Sequence, residues 1–314
     1  MPRSFSIAFT RPYEAWVLDS PGMQRALTIA LLLVALAASA QPVVVQGSLD
    51  VEWSKGAADC ATSMAPALQI HRYEPRTFII REDLCKHFEA PFLYLLIGTE
   101  KALLVDTGAV ADPQLMPVAR TVMALVRTEA GVELPLVVVH SHGHRDHIAG
   151  DQQFASLDSV TLVAAEVDSI RRFFALDKSS SGTARLDLGA RVVHVIPAPG
   201  HQRAHLVFYD ERTALLLTGD FLLPGRLLVE DRDAYLRSAL RVADFVKDRP
   251  VSHILGAHIE LRSDRGELVE IGSHYHPKER RLELRKDVLF ELAPALEAFE
   301  GSVARHPDFV IMNR

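Results

Sequence analysis

Cysteine, basic charge and long apolar runs are all scarce in this chain. Only two of its 314 residues are cysteine, too few for a thiolate cluster of the structural-metal type. Neither Cys60 nor Cys85 stands at a metal-type spacing. In an exported protein the two could pair, and the loop so closed would contribute about 3–4 kcal/mol on the chain-entropy argument; two unrelated thiols are the alternative. Lys and Arg together number 34 against 40 Asp and Glu, a net charge of -6, so there is no basic footprint and nucleic acid is not an expected partner. H-E-x-x-H and G-x-S-x-G are both missing, which removes the metalloprotease helix and the serine-nucleophile elbow. There is no internal repeat, no heptad run and no low-complexity tract beyond short Ala/Leu clusters. What remains is an ordinary globular composition, 48% hydrophobic and 24% charged, long enough for one large domain or two small ones.

The apolar run "ALTIALLLVALA" from Ala26 to Ala37 is short against the roughly 20 residues that span a bilayer. It follows the short basic start Met23-Gln24-Arg25 and ends in the A-x-A of Ala38-Ser39-Ala40, ahead of Gln41-Pro42. Residues 23–40 therefore read as a secretory signal peptide cleaved after Ala40, with a membrane anchor as the alternative. The expected address is periplasmic or secreted, with no stable membrane anchor after cleavage. Residues 1–22 carry charges and prolines ahead of an internal Met, and read as a gene-model extension with Met23 as the start.

Residues 41–75 read as an irregular lead-in and 76–314 as a single domain. "TFII", "PFLYLLIG", "KALLVDTG" and "LPLVVVH" are short apolar runs bounded by turns, the pattern of buried strands. "VTLVA", "RVVHVIPAPGH", "HLVFYD", "TALLLTGD" and "VSHILGAH" continue it. Helical spacing marks Pro113 to Thr128, Ala165 to Leu176 and Asp233 to Val246, and Glu279 to Phe299 reads as an amphipathic closing helix. Strands outnumber helices, and helices fall between strand groups. The expected architecture is layered α/β with stacked sheets.

The polar residues sit at the ends of these strands. Asp106, His142, His201, Asp220 and His258 each follow an apolar run within a few residues, where loops on a rigid scaffold can build a site. The densest stretch is "HSHGHRDHIAG". His142, His144, Asp146 and His147 form H-x-H-x-D-H, whose first and third positions can direct two imidazoles to one side of a tight loop. Imidazole and carboxylate without thiolate suit zinc, and also iron, manganese or cobalt. "PAPGH", "LLLTGD" and "ILGAH" then add His201, Asp220 and His258. His205 competes with His201, and the P-G-H context favours His201. His140 ends a strand and should point away from its neighbours. His274 and His276 read as solvated loop residues, with the pocket mouth as the alternative. Lys278, Arg280, Arg281 and Arg285 read as a solvated helix face that could instead hold an anionic substrate. After Asp220, Pro224-Gly225 makes a turn. Leu222, Leu223 and Leu227 could form an apolar wall or pack in the core, with Arg226 a polar contact.

These motifs together resemble the metallo-β-lactamase superfamily, from about Phe92 to His258. The resemblance implies an αββα sandwich of two mixed β-sheets with outer helices. It implies two zinc ions per chain, or iron or manganese in their place. His142, His144 and His201 would hold the first ion and Asp146, His147 and His258 the second, with Asp220 bridging. Asp106 in "LLVDTG" would order the loops. A metal-bridging hydroxide would attack an ester, thioester, lactone or amide bond of a small molecule, with Asp146 taking its proton. Secreted β-lactamases of the superfamily usually lack an aspartate at the bridging position, so Asp220 points toward thioesterase, lactonase and phosphodiesterase branches. The hydroxyacylglutathione-hydrolase type shares the ligand set but adds a helical substrate domain, whereas only about 56 residues follow His258 here. The alternatives are β-lactamase-like activity, a non-catalytic metal-binding protein, or an iron-based oxidoreductase.

Overall fold

Continuous apolar strands make sense only if both faces of a sheet are covered, and the computed structural model of the chain shows how. It describes residues 43–176 and 182–314; the expected N-terminal extension and signal peptide lie outside the described residues. Val44 to Arg314 form one unit. Six strands make the first sheet: β1 (Leu68–Glu74), β2 (Thr77–Glu82), β3 (Phe92–Ile97), β4 (Ala102–Val105), β5 (Leu136–Val139) and β6 (Val160–Leu162), side by side in chain order. The first four are antiparallel to one another, while β4, β5 and β6 are parallel. Helix α1 (Val118–Ala130) supplies the crossover between β4 and β5, and stops at Gly131 in the left-handed conformation. The short α2 (Arg145–Ile148) and α3 (Val167–Phe174) follow β5 and β6.

The second sheet is built from β7 (Ala184–Asp187), β8 (Val192–Pro197), β9 (Leu206–Asp210), β10 (Leu215–Gly219), β12 (His253–Gly256) and β13 (Glu283–Leu284). Only its β10–β12 pairing is parallel. Between β10 and β12 lie β11 (Arg226–Val229) and α4 (Arg232–Val246), the latter capped by the Asp231 carboxylate, which accepts the Ala234 N–H at 2.9 Å. The chain closes with α5 (Lys286–Glu297), β14 (Val303–Arg305) and β15 (Val310–Asn313).

The period-2 alternation of side chains sorts each strand between two cores. Leu103 and Val105 of β4, with Val137 and Val139 of β5, pack against Val193, Val195, Phe208, Leu215 and Leu217 between the sheets. Their neighbours Ala102, Leu104, Leu136 and Val138 face α1. Val207, Leu216 and Ile254 of the second sheet face α4 and α5. The layers are thus helix, sheet, sheet, helix, as expected.

Three elements differ from the sequence reading. β1 lies inside the stretch 41–75 read as irregular; it is an edge strand with Ile70 and Arg72 exposed, so it lacks the apolar run that marked the others. The closing helix begins at Lys286 rather than Glu279, because Glu283 and Leu284 pair with β12 and Glu279 is bound to the buried Arg81 at 2.5 Å. A small third sheet of β11, β15 and β14 was not anticipated; β11 comes from "RLLV", the stretch that follows the Pro224-Gly225 turn. Leu222, Leu223 and Leu227 are buried in the core. Cys60 and Cys85 are joined, with S–S 2.07 Å and Cα–Cα 5.2 Å. Among the described residues, no helix is long and apolar enough to cross a membrane.

Candidate metal centre

Parallel pairs put strand ends on one edge. β4 and β5 deliver Asp106 and His142 from the first sheet, and β10 and β12 deliver Asp220 and His258 from the second. Gly219 precedes Asp220 because the sheets nearly touch there. Its φ is +51°, and a Cβ would lie 2.5 Å from Ser141 Cβ. Gly200 before His201 is similar, with a Cβ 2.3 Å from the Tyr235 backbone.

All seven candidate ligands converge, in two groups. In the first, His142 Nε2 lies 2.8 Å from His144 Nδ1, and His201 Nε2 lies 3.2 and 3.1 Å from those two atoms. Asp220 Oδ2 completes it, 3.8 Å from His142 Nε2 and 3.6 Å from His201 Nε2. In the second, His147 Nε2 is 3.1 Å from Asp146 Oδ2 and 3.4 Å from His258 Nε2. Asp220 Oδ1 stands 3.6 Å from His147 Nε2 and 3.4 Å from His258 Nε2. One carboxylate therefore gives one oxygen to each group. Four donors held about 2.0–2.1 Å from a tetrahedral zinc are about 3.3–3.4 Å apart, close to both sets of separations.

The outer nitrogens decide which way the lone pairs point. His147 donates through Nδ1 to Asp106 Oδ2 at 3.0 Å, His201 to the Leu228 carbonyl at 3.0 Å, and His258 to the Glu89 carbonyl at 2.9 Å. With Nδ1 so engaged, each neutral ring would offer its Nε2 lone pair to a cation in its group. Asp220 Oδ1 is shut off from solvent and has no hydrogen-bond partner. Inward-facing imidazole nitrogens and an unpaired buried carboxylate oxygen fit a divalent cation.

The electrostatics of the groups differ. Burial holds His142 well below the usual imidazole range, and lowers His144 and His201 as well. Burial also pushes down on His258, but the Asp220 and Asp146 carboxylates outweigh it and raise it to about 10. His147 is raised well above its usual range in the same way, by Asp146, Asp106 and Asp220.

Asp106 orders the loops, as expected. It accepts the Ser141 N–H at 2.6 Å and the Ser141 hydroxyl at 2.8 Å, from a backbone φ of +68°. His140 points away from both groups, its Nδ1 donating to the His147 carbonyl at 3.2 Å. His205 belongs to neither ligand group; it is buried and stacked on His142 at 5.0 Å. His276 is not a solvated loop residue: it is buried, paired with Glu279 at 2.8 Å, and lines the cavity. His274 is tied to the Leu84 carbonyl at 2.6 Å. Arg280, Arg281 and Arg285 precede α5 and are ion-paired with Asp308, Glu283 and Asp287, and neither they nor Lys278 line the cavity. Arg226 makes its polar contact with Glu260, at 2.9 Å.

Both groups open on a cavity of about 350 Å³, a size suited to a small molecule. The description "Metallo-beta-lactamase superfamily" belongs to the family model that matches residues 89–258. The chain belongs to the metallo-β-lactamase superfamily. It is similar to a hydroxyacylglutathione hydrolase from Anaeromyxobacter dehalogenans, 32% identical over 131 residues, or 42% of this chain and 46% of that one. The corresponding enzyme of Rhodobacter capsulatus is 32% identical over 126 residues, 39% of this chain and 46% of that one. The chain thus spans about half the length of the curated relatives it matches. Among solved structures, a metallo-β-lactamase from Pontibacter korlensis shares the fold, with a TM-score of 0.51 and 15% identity over 74% of this chain and 100% of that one.

The sequence reading missed the outer contacts. Glu89 and Leu228 act through backbone carbonyls, which leave no residue-type signal. Glu230, 3.6 Å from His144 Nε2, stands in no motif.

Proposed function

We propose that the chain is an exported dinuclear hydrolase cleaving a thioester, ester, lactone or amide bond of a small molecule. The observation that carries this reading is the Asp220 carboxylate, with one oxygen in each ligand group. The relatives named hydroxyacylglutathione hydrolase favour a thioester within that set. When bound, two zinc ions would supply Lewis-acid charge to the scissile carbonyl and lower the pKa of a water toward about 7; iron and manganese are the alternatives. His142, His144, His201 and Asp220 would hold the first ion, and Asp146, His147, His258 and Asp220 the second. Asp106 and the Glu89 carbonyl fix the rings of His147 and His258. Asp146 lines the cavity, where its carboxylate is placed to accept a proton. Export rests on residues 23–40, and the Cys60–Cys85 disulfide supports it, since such bonds persist in oxidising compartments.

The test is metal analysis of the mature protein beside a panel of thioester, ester, lactone, β-lactam and phosphodiester substrates. About two zinc ions per chain with chelator-sensitive turnover of a thioester or ester is the expected result. Two ions without turnover of any substrate would replace the reading with metal sequestration, and iron would replace it with redox chemistry.

A further inference from the structure

One wall of the cavity comes from the excursion between β12 and β13. Val269, Ile271 and His276 of that excursion line the cavity, and Ile271 is 72% exposed. The two ends of this wall are fastened differently. At the first, the Val269 N–H donates to the Glu260 carbonyl at 2.7 Å. At the second, the wall leans on the lead-in. The His276 N–H donates to the Lys55 carbonyl at 2.8 Å, and the Ala57 N–H donates to the His274 carbonyl at 3.2 Å. Gly56 pairs with Tyr275 at a φ of +68°, and a Cβ there would lie 1.9 Å from the His274 carbonyl oxygen. The His274 ring donates through Nδ1 to the Leu84 carbonyl at 2.6 Å.

The lead-in that grips this end is itself held at two distant points. Gln69 Oε1 accepts the Ser54 N–H at 2.6 Å, and the Ala67 carbonyl accepts the Asp83 N–H at 3.0 Å. Between them, among the described residues, the backbone of residues 55–66 hydrogen-bonds beyond its own stretch only to residues 274–276. The covalent tie is Cys60–Cys85. It joins the lead-in to the residue after Leu84, so the two pieces that grip the wall are clipped to each other. Both cysteines are half-buried, with exposed Asp59, Ala61 and Lys86 beside them, within reach of a small reductant. The metal side of the same turn is fixed without the clip: near Glu89, whose carbonyl holds His258, the Phe92 N–H donates to the Ala257 carbonyl at 2.8 Å.

We propose that Cys60–Cys85 is a redox-sensitive positioning device for the cavity. The bond fixes the wall that carries Ile271 and His276, and its reduction by a dithiol loosens that wall and weakens substrate binding while both ligand groups keep their metal. A thiolate of the dithiol attacks one sulfur, and the other leaves as a thiolate and is protonated. The second thiol of the reagent then displaces the first, so the two cysteines gain two electrons and two protons and the dithiol becomes a disulfide. The effect on substrate rests on the hydrolase reading; the effect on the wall does not.

Hydrogen-exchange mass spectrometry on the zinc-loaded protein tests the wall without turnover. It compares wild type, the Cys60→Ser, Cys85→Ser double variant, and wild type reduced with dithiothreitol and desalted without oxygen. Amides of residues 55–60 and 269–276 should exchange about tenfold faster in the last two, with β4, β5 and zinc content unchanged. With p-nitrophenyl butyrate as the ester probe, KM should rise about three- to tenfold at unchanged kcat, the cost of re-ordering one or two wall side chains on binding. Reoxidation should restore both. Unchanged exchange over residues 269–276, an unchanged KM, or a bond that dithiothreitol leaves intact in the folded protein would overturn the device. So would a joint loss of zinc and kcat, the result of a bond that merely holds the whole fold together. Faster exchange with no turnover of any panel substrate would uphold the clip and overturn the hydrolase reading instead.

Discussion

Arg191 and Asp220 sit in two clusters of charged side chains whose surroundings contrast. Arg191, in the turn between β7 and β8, grips Asp210 through Nε at 2.9 Å and Nη2 at 2.7 Å. It also donates to Thr77 Oγ1 and the Arg76 carbonyl, each at 2.7 Å, and so ties the second sheet to the first. Asp210 in turn accepts the Thr213 N–H at 3.0 Å. Donors there meet acceptors, and opposite charges meet. At the metal centre imidazole nitrogens crowd against one another and around two carboxylates, and the buried Asp220 Oδ1 has no hydrogen-bond partner. The first cluster is complete as folded and holds the sheets together. The second is completed only by a cation, so its energy belongs to binding.

Exchanging the losses would break that comparison. Asp220→Ala should have the largest effect, lowering metal content from about two ions to below one and turnover by about three orders of magnitude, checked by metal analysis and steady-state kinetics. Arg191→Met should leave about two ions in each folded chain while lowering stability by about 3–5 kcal/mol, because Asp210 is left buried without its partner; denaturant titration reads this. If Arg191→Met emptied the metal site, or Asp220→Ala left it filled, the division of labour would be wrong.

Glu82 sharpens the contrast, since its carboxyl is buried with neither cation nor full hydrogen bonding. Oε2 accepts the Ala109 N–H at 3.1 Å, and Oε1 has no partner. Burial raises the group from 4.5 to about 8. The folded protein therefore keeps this proton after the unfolded chain has lost it. The stability it contributes is full below about pH 4.5 and is lost as pH rises through about 8. Glu82→Gln should flatten the loss between pH 5 and 9 by about 1–3 kcal/mol, read from urea midpoints in the presence of chelator. An unchanged slope would place the titration elsewhere.

The candidate ligands were legible because each belongs to a local pattern. His142, His144, Asp146 and His147 fall within one turn, and His201, Asp220 and His258 each follow a buried strand and a short glycine-bearing turn. The layers were legible because the apolar runs on β3, β4, β5 and β10 are too continuous for a sheet with one wet face. β1 was not, because an edge strand half in solvent has no such run. His276 was not, because its partner Glu279 and the cavity it lines are properties of the folded loop. Arg314 is 170 residues from His144 in sequence, and nothing local records that they meet.

The sequence by itself determined which residue types stand at strand ends, and with them the donor set of imidazoles and carboxylates. Short-range geometry suffices for that, because a strand followed by a tight turn fixes where the next side chains can point. Only the tertiary structure decided that Asp220 divides its oxygens between the two groups, which carbonyl or carboxylate holds each imidazole, and which arginines reach the cavity. Those contacts join the two sheets and the terminal strand, and only the packing of distant segments brings them within hydrogen-bond reach.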